Sequence, residues 1–400
     1  MKSKKLLLIT QVYPPDPASV GQHMADVAEN MARKGWDVVV LTPNRGYENH
    51  KEKYISWEVL NGVEVSRLSF TSFGKKNIIL RLISQLLFLL NALFSSIFIK
   101  KPDALLVTTN LAFIIAPILK KFRKIPYLYW VMDLNPDQAI AAGILSKKSL
   151  TARLYNFLQY FVLKHANTVI SLDRFISKNI ENKNNRINRH IIIPPWPHED
   201  HLVKEATKVK DFKKEHGWGN KRIFMYSGNH SLVHPLDTFL RASSSLKDTN
   251  DFLLAFIGGG LGKRQVNEYI QNHPELPIAS LPYQPIEKLN NSLTAGDVHL
   301  VSMGDKMAGC VHPCKLYGAM AIGRPILLLG NENNHIAEII NEYDIGWSVQ
   351  HGDIDSMVKI LKYLISVDKK VLEEKGHNAK VAIKKEFSQK KLLSDFCSNF

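Results

Sequence analysis

Short apolar segments, each followed by a loop and an amphipathic helix, recur along this chain and restrict its fold more than any other feature. Residues 6–10 form the first such segment, and a helix predicted from about Gln22 separates them from the next, residues 38–42. The same order starts again at residues 222–227. Strands joined through helices form parallel sheets. The pattern therefore predicts an α/β protein with two doubly wound, Rossmann-like domains facing a cleft.

A proline-rich stretch, Pro194-Pro195-Trp196-Pro197, separates the two series of strands and helices. Proline fixes the backbone φ angle and has no N–H to pair, so such a stretch is typical of a stiff linker. The sequence predicts an N-terminal domain over residues 1–197, a second domain over residues 198–375, and a helix over residues 376–400 that could return to the first domain. Gly376 is predicted to break the helical tail.

The composition favours anionic partners. The 400 residues include 52 lysines and arginines against 37 acidic residues, a formal net charge of +15. Such a surface attracts nucleic acid, anionic lipid or phosphorylated small molecules. No nucleic-acid-binding motif accompanies the charge, so nucleic acid is disfavoured. The 3 cysteines give no disulfide framework and suit the reducing cytoplasm.

Residues 78–99 are the most apolar segment of the chain. The segment is long enough to cross a bilayer core of ~30 Å, but Arg81 and Asn91 interrupt it and lysines lie at both ends. Three interpretations are open: a helix packed on the sheet, a helix lying in a membrane surface, and a membrane span. The basic cluster at residues 120–124 adds to the second, since basic flanks bind anionic lipid.

Two residues in the first half, Asp133 after a predicted strand and Gly21 at a predicted helix start, are candidates for ligand binding. Asp133 comes directly after the strand predicted at residues 127–132, where α/β enzymes place catalytic groups. It could act as a base or hold an acceptor hydroxyl; alternatively, Asp133 or Asp137 caps a helix or forms a turn. Gly21, at a helix start, could let a ligand approach the backbone or could be an ordinary loop glycine.

The second half contains three glycine-rich strand ends, at residues 228–230, 258–260 and 309. Their backbone N–H groups could converge on one anion. After Gly309, the sequence predicts a helix with Pro313 near its first position and Lys315 as a cation in its first turn. The stretch therefore predicts a phosphate or diphosphate site. Alternatively, Lys315 is a solvated surface lysine.

Histidine and cysteine residues in this half allow further interpretations. His230, His234 and His312 could be donors in the site or hydrogen-bonded structural residues. The run Cys310 to Cys314 includes His312, but a structural zinc site needs four ligands and no second pair is present, so no metal is expected. A Cys–His nucleophile is disfavoured because no activating third group is evident.

Taken together, these segments resemble the glycosyltransferases of the GT-B architecture, specifically the retaining family 4. The motifs that carry the resemblance are Gln11-Val12-Tyr13-Pro14-Pro15 with Gly21, Tyr226-Ser227-Gly228-Asn229-His230, Gly258-Gly259-Gly260, Leu281-Pro282-Tyr283-Gln284-Pro285 and Pro313-Cys314-Lys315-Leu316-Tyr317-Gly318. The last is similar to the Pro-Ser-Lys motif of bacterial exopolysaccharide and lipopolysaccharide transferases. Many family-4 members carry two glutamates where this chain has Cys310 and Gly318.

The resemblance implies transfer of a sugar from a nucleoside-diphosphate-sugar to a glycan or lipid-linked acceptor, without metal or cofactor, at the inner face of the plasma membrane. The first domain would bind the acceptor through Asp133, and Lys315 would stabilise the leaving diphosphate. The residues it assigns to donor binding are Gly21, Gly228, Asn229, His230, Gly259, Gly260, Tyr283, Gln284, Gly309, His312, Pro313, Cys314 and Tyr317. Alternatives are a sugar-nucleotide 2-epimerase of the same fold and a catalytically degenerate membrane-associated partner protein.

Overall fold

The computed structural model describes residues 3–16, 18–46, 51–69, 78–109, 111–183, 186–198, 206–249 and 251–400. The chain divides into two compact units. Unit 1 comprises Met1–Pro194, Gly309–His312 and Leu392–Phe400, and unit 2 comprises Pro195–Ala308 and Pro313–Lys391. The first change of unit falls within the proline-rich stretch, and two short segments from the second half of the sequence belong to unit 1.

Unit 1 is built on a sheet of eight strands. The strands are β1 (Lys5–Ile9), β2 (Asp37–Pro43), β3 (Trp57–Leu60), β4 (Val63–Leu68), β5 (Ala104–Thr108), β6 (Tyr127–Val131), β7 (Thr168–Ser171) and β8 (His190–Ile192). They lie in the order β3-β4-β2-β1-β5-β6-β7-β8, and all neighbours are parallel except β3 and β4. Leu6 to Ile9 of β1 are buried on both faces, as their unbroken apolar sequence requires.

Helices and one short 3-10 turn connect these strands. They are α1 (Ser19–Arg33), α2 (Ile78–Phe98), the 3-10 turn Leu111–Ile114, α3 (Ile115–Arg123), α4 (Asp137–Ala141), α5 (Leu150–His165) and α6 (Arg174–Lys183). In the described part of the chain, no helix is long and apolar enough to cross a membrane. Phe88 and Ala92 of α2 are buried in unit 1, and other apolar side chains of the helix are exposed.

Unit 2 contains a six-stranded sheet that is parallel throughout. Its strands are β9 (Arg222–Ser227), β10 (Phe252–Ile257), β11 (Ile278–Leu281), β12 (Val298–Ser302), β13 (Ile326–Leu329) and β14 (Gly346–Val349). They lie in the order β11-β10-β9-β12-β13-β14. This is the doubly wound arrangement in which the strand order reverses beside the first strand of the unit. The predicted fold class, two parallel Rossmann-like domains, is confirmed.

The helices in the second half of the chain pack on the sheet of unit 2 or form the C-terminal tail, whose last helix ends in unit 1. They are α7 (Ala206–Glu215), α8 (Asp237–Ser244), α9 (Lys263–Asn272), α10 (Ile286–Ala295), α11 (Lys315–Ala321), α12 (His335–Tyr343), α13 (Ile354–Ser366), α14 (Lys369–Ala382), a π-helical turn Ile383–Phe387, and α15 (Gln389–Cys397). Gly376 does not break the tail, because it lies inside α14. A Cβ atom there would lie 2.2 Å from the carbonyl oxygen of Gly323, so the residue lets α14 approach that loop closely.

The end of the tail packs into the core of unit 1. The ring of Phe396 lies 4.4 Å from the fully buried Trp130 of β6, and the ring of His23 of α1 lies 6.0 Å from the same indole. Phe400 lies edge-on to Trp36 at 6.3 Å. Buried aromatic pairs of this kind contribute more than their area alone, so Leu392–Phe400 is an integral part of unit 1.

Candidate functional site

Lys315 lies over the carboxyl end of β9 in unit 2. It is the first residue of α11, and its ammonium donates to the hydroxyl of Tyr226 at 2.5 Å and to the carbonyl of Asn229 at 3.3 Å. The same nitrogen stands 3.8 Å from the centre of the Tyr226 ring. Burial lowers the pKa of this ammonium to about 7. Lys315 is therefore a partly desolvated cation, and the solvated-lysine alternative is wrong.

Its helix differs from the predicted one. Cys314 is the residue before the first turn, so Pro313 lies outside the helix and not at its first position. Tyr317 and Gly318 are buried, and the ring of Tyr317 packs on Phe387 at 5.3 Å. Tyr317 is thus a core residue of unit 2, contrary to the donor-binding role assigned to it. The reason is helical spacing, which turns it inward while Lys315 faces β9.

The glycines after β9 and β10 allow two loops to pack backbone against backbone. Gly228, Gly258 and Gly260 have φ angles of +121°, +129° and +115°. A Cβ atom on Gly258 would lie 2.1 Å from the Gly228 carbonyl oxygen, and one on Gly260 would lie 2.2 Å from Oδ1 of Asn229. The loop packing alone requires glycine at these positions. Donor contact by these glycines stays a prediction.

Some backbone N–H groups of the two loops donate to the other loop, and others have no acceptor among the described residues. His230 donates its backbone N–H to Gly259, and Gly262 donates to His230, both at 2.7 Å. Among the described residues, the N–H groups of Asn229, Gly259 and Gly260 have no acceptor. These three groups lie on the loops beside Lys315 and remain able to bind an anion.

His230 is neutral and fully buried between these loops. Its Nδ1 donates to the carbonyl of Gly228 at 3.0 Å, and its ring lies 4.7 Å from that of Tyr226. Burial, with smaller contributions from Lys263 and Lys315, lowers the imidazole pKa to about 3. Nε2 has no hydrogen-bond partner among the described residues, so it can only accept a hydrogen bond. His234 is likewise kept neutral by burial, which lowers its pKa to about 3.

Tyr283 and Gln284 follow β11. The ring of Tyr283 lies against Gly259, where a Cβ atom would stand 2.9 Å from it, and about half of this side chain is exposed. The amide of Gln284 donates to Pro282 at 3.1 Å. Lys263 donates to the carbonyls of Phe256 and Leu281. Tyr283 therefore belongs to the cluster around Lys315, and Lys263 ties strand ends together instead of facing a ligand.

Gly309 and His312 lie in unit 1, although the sequence placed them with the donor residues of the second domain. The carbonyl of Gly309 accepts from Nδ2 of Asn179 at 3.0 Å, and the carbonyl of Cys310 accepts from the N–H of Leu134 at 2.8 Å. His312 Nδ1 lies 2.7 Å from the Asp173 carboxylate. Gly309–His312 is thus fixed beside the segment that carries Asp133.

Asp173 is the residue that sequence reasoning missed. Its Oδ1 accepts from the N–H groups of Phe175 and Ile176, both at 2.8 Å, and so caps α6, while Oδ2 faces His312. The signal was present, because Asp173 follows β7 as Asp133 follows β6. Both carboxylates occupy the strand ends at which α/β proteins place polar groups.

Asp133 follows β6, and its backbone N–H donates to the hydroxyl of Thr109 at 3.2 Å. Burial raises the pKa of its carboxyl to about 6. Burial likewise raises the pKa of the nearby Cys310 thiol to about 11, which keeps it protonated and opposes a Cys–His nucleophile. Asp137 instead pairs with Lys183, which also donates to Gln159 at 2.8 Å. Asp133 is the carboxylate whose pKa suits a base near neutral pH.

Comparisons with known proteins identify this architecture. Residues 19–196 match the family model of the glycosyl transferase 4-like domain. The chain is superimposable on a structure of Anabaena Alr3699/HepE in complex with UDP and glucose, with a TM-score of 0.74, 13% identity and 99% of each chain covered. The chain has the GT-B fold, and its residues 19–196 resemble the glycosyl transferase 4-like domain. The predicted resemblance to family-4-like GT-B glycosyltransferases is confirmed.

Curated relatives of this GT-B protein extend over most of its length. It is 23% identical over 368 residues to the probable glycosyltransferase WbjE of Pseudomonas aeruginosa, covering 91% of this chain and 90% of that protein. It is 21% identical over 380 residues to the putative colanic acid biosynthesis glycosyl transferase WcaI of Escherichia coli K12, covering 91% and 93%.

Gly21 has a structural explanation in this fold. It lies in the first turn of α1, and a Cβ atom there would stand 3.1 Å from the carbonyl carbon of Val12 and 3.2 Å from Cα of Tyr13. The loop after β1 therefore packs directly on the helix. Donor contact by Gly21 stays a prediction.

Proposed function

We propose that the protein transfers a sugar from a nucleoside-diphosphate-sugar to an acceptor hydroxyl in surface-polysaccharide synthesis, with retention of the anomeric configuration. The observation that carries the proposal is the cluster in unit 2 of a desolvated Lys315 beside the N–H groups of Asn229, Gly259 and Gly260. HepE, which shares the fold, binds UDP and glucose, and WcaI is named for colanic acid biosynthesis; both support this class of substrates.

The donor side of the mechanism follows from this cluster. When the bond between the anomeric carbon and the diphosphate breaks, negative charge develops on the departing phosphate oxygens. A protonated Lys315 and fixed N–H dipoles stabilise that charge because they are already oriented and partly removed from water. The half-exposed ring of Tyr283 offers a flat surface for the nucleobase. This mechanism uses no metal ion.

Asp133 supplies the acceptor side. At neutral pH the Asp133 carboxyl is ionised in most protein molecules, since its pKa of about 6 lies below pH 7. The carboxylate would accept a hydrogen bond from the acceptor hydroxyl and orient its oxygen toward the anomeric carbon. In a retaining transfer the new bond forms on the face that the diphosphate leaves, and the departing diphosphate can take the proton. We propose a lipid-linked glycan as the acceptor, at the inner face of the plasma membrane.

A screen of nucleotide-sugars by thermal shift tests donor binding. A ligand that binds only the native state stabilises it by about 2.7 kcal/mol at a hundred times its Kd. We expect at least one nucleoside-diphosphate-sugar and its matching diphosphate to raise the Tm, and the free monosaccharide to leave it unchanged. The bound donor is then incubated alone and with lipid-linked acceptor. No shift with any nucleoside-diphosphate-sugar would contradict donor binding, and epimerised donor without acceptor would indicate the epimerase alternative.

Donor affinity should depend on pH through Lys315. The free ammonium has a pKa of about 7, and diphosphate binding raises that pKa because it favours the protonated form. Affinity is therefore full below pH 7 and falls by about ten-fold per pH unit above it, until the pKa of the complex is reached. A nucleotide-sugar is the right probe, since its diphosphate stays ionised throughout. Calorimetric titrations across this range measure the effect.

The matched variant for the pH experiment is Lys315→Arg, because a guanidinium stays protonated over the whole range. We expect its donor affinity to be independent of pH. An equally flat profile in the unmodified protein would show that Lys315 is not the titrating group.

A further inference from the structure

Helix α2 turns its large apolar side chains away from unit 1. Its exposed residues are Leu80, Ile83, Leu86, Leu90, Phe94, Ile97 and Phe98. Most recur at intervals of three and four, so they form one stripe along the helix. The inward side carries Ser84, Phe88, Ala92 and Ser96, and both serine hydroxyls donate back to helix carbonyls. The exposed side is thus more apolar than the buried side, the reverse of a helix that faces water.

Helix α5 also carries large apolar side chains on its exposed side. Leu150, Leu154, Phe157 and Phe161 are exposed along its length, with Phe157 at 64%. The inward side carries Ala152, a fully buried Gln159, Val162 and Leu163. Spacings of four, three and four residues place the exposed side chains in one stripe. A second helix of unit 1 therefore directs apolar side chains outward.

Helix α3 connects α2 with α5. Arg123 donates to the carbonyls of Ser96 and Ile99 at the end of α2. Lys120 donates to the carbonyl of His165 at the end of α5, at 2.9 Å. Phe122, which lies between these two cations in the sequence, is 75% exposed. The two stripes and Phe122 form one surface of unit 1, called here the α2–α5 face.

The charged side chains on the helices of the α2–α5 face are all positive. Helices α2, α3 and α5 contain no aspartate or glutamate. The exposed cations on these helices or just beyond their ends are Lys100, Lys101, Lys121, Lys124, Lys147, Lys148, Arg153 and Lys164. A second copy of the chain would bring the same positive rim against this one, which disfavours self-association. An anionic surface with an apolar interior complements both the rim and the stripes.

We propose that the α2–α5 face seats the protein on an anionic membrane. Helices α2 and α5 lie in the plane of the interface, their apolar stripes enter the boundary of the acyl chains, and the surrounding lysines meet the lipid phosphates. The inference deepens the proposed function, since it names the surface that would bring unit 1 to a lipid-linked acceptor. The role of the face rests on the proposed function, whereas its apolar stripes and cations are observed independently of it.

Vesicle sedimentation tests the proposal with the full chain and without donor or acceptor. We expect binding to phosphatidylcholine vesicles that contain phosphatidylglycerol, and at least ~ten-fold weaker binding to phosphatidylcholine alone or at high salt. The double variant Phe94→Glu/Phe157→Glu should lose binding by a similar factor. Both side chains are exposed, so the fold is preserved, and circular dichroism checks this. Val381→Glu is the matched control, since Val381 is 48% exposed on α14 of unit 2 and lies outside the glycine loops.

Either of two results would overturn the membrane proposal: no binding of the unmodified protein to anionic vesicles at low salt, or equal binding by the double variant. A dimer that Phe94→Glu/Phe157→Glu dissociates, without vesicle binding, would assign the face to a second copy instead. The donor thermal shift is measured on the same variants and should be unchanged. Failure of vesicle binding with an intact donor shift rejects this face alone, whereas loss of the donor shift in the unmodified protein rejects the transferase.

Discussion

Lys315→Met should lower kcat by about 10²–10³-fold or more while the protein stays folded, because it removes a preorganised cation from the leaving diphosphate. Methionine preserves the length and packing of the side chain over Tyr226. The substitution strands no buried partner, since the Tyr226 hydroxyl still donates to the carbonyl of Asn229 at 2.9 Å. Steady-state kinetics with the donor found by thermal shift, together with the Tm of the variant, measure the two effects separately.

Arg264→Met is the matched control for Lys315→Met. It removes one positive charge close to the same glycine loop, but its side chain is 86% exposed and pairs with Glu268 on the surface of α9. We expect unchanged kinetics and stability, because exposed ion pairs contribute little. Near-normal kcat/KM for Lys315→Met would contradict the diphosphate assignment, and an equal loss in both variants would indicate a general charge effect.

The sequence was sufficient for the fold because each local signal agreed with the architecture. The strand over residues 222–227 is predicted and observed with the same bounds, and the alternation of strand, loop and helix specifies parallel sheets. The positions at strand ends were equally readable, since Asp133 and Gly228 each follow a strand. The location of both residues at the end of a strand follows from the residues next to them in the sequence.

Features that depend on distant residues could not be predicted. Gly309 and His312 belong to unit 1 because Asn179 and Asp173, far away in the sequence, bind them. Tyr317 looked available beside Lys315, but the packing of Phe387 from the C-terminal tail encloses it. In each case the deciding contact comes from a segment whose position only the tertiary structure supplies.

The spacing of apolar residues predicts an amphipathic helix, but it does not show whether the apolar side faces the core or the surface. The stripe of α5 at Leu150, Leu154 and Phe157 has the spacing of a core-facing helix. The structure turns it outward because Ala152, Gln159, Val162 and Leu163 face unit 1 instead. Small or polar residues on the opposite side were the available signal, as they were in α2.

Asp133→Asn should abolish transfer while donor binding is retained. Asparagine has the same shape but is not a charged acceptor for the hydrogen bond of the acceptor hydroxyl, and loss of the group that orients the attacking oxygen costs about 10²-fold or more. Titration of the Asp133 carboxyl should also produce the acidic limb of the pH profile of kcat. Its pKa of about 6 means that kcat of the unmodified protein should fall as the pH drops below 6 and the carboxylate is protonated.

The acidic limb and the donor shift together decide the role of Asp133. In Asp133→Asn the residual rate should lose its dependence on pH near 6, and the thermal shift by donor should equal that of the unmodified protein. Asp137→Asn is the nearest comparison: it removes the partner of Lys183, so it should lower the Tm and leave the acidic limb in place. If Asp133→Asn instead lost donor affinity and kept its kcat, the carboxylate would act on the donor, and the acceptor-side assignment would have to be given up.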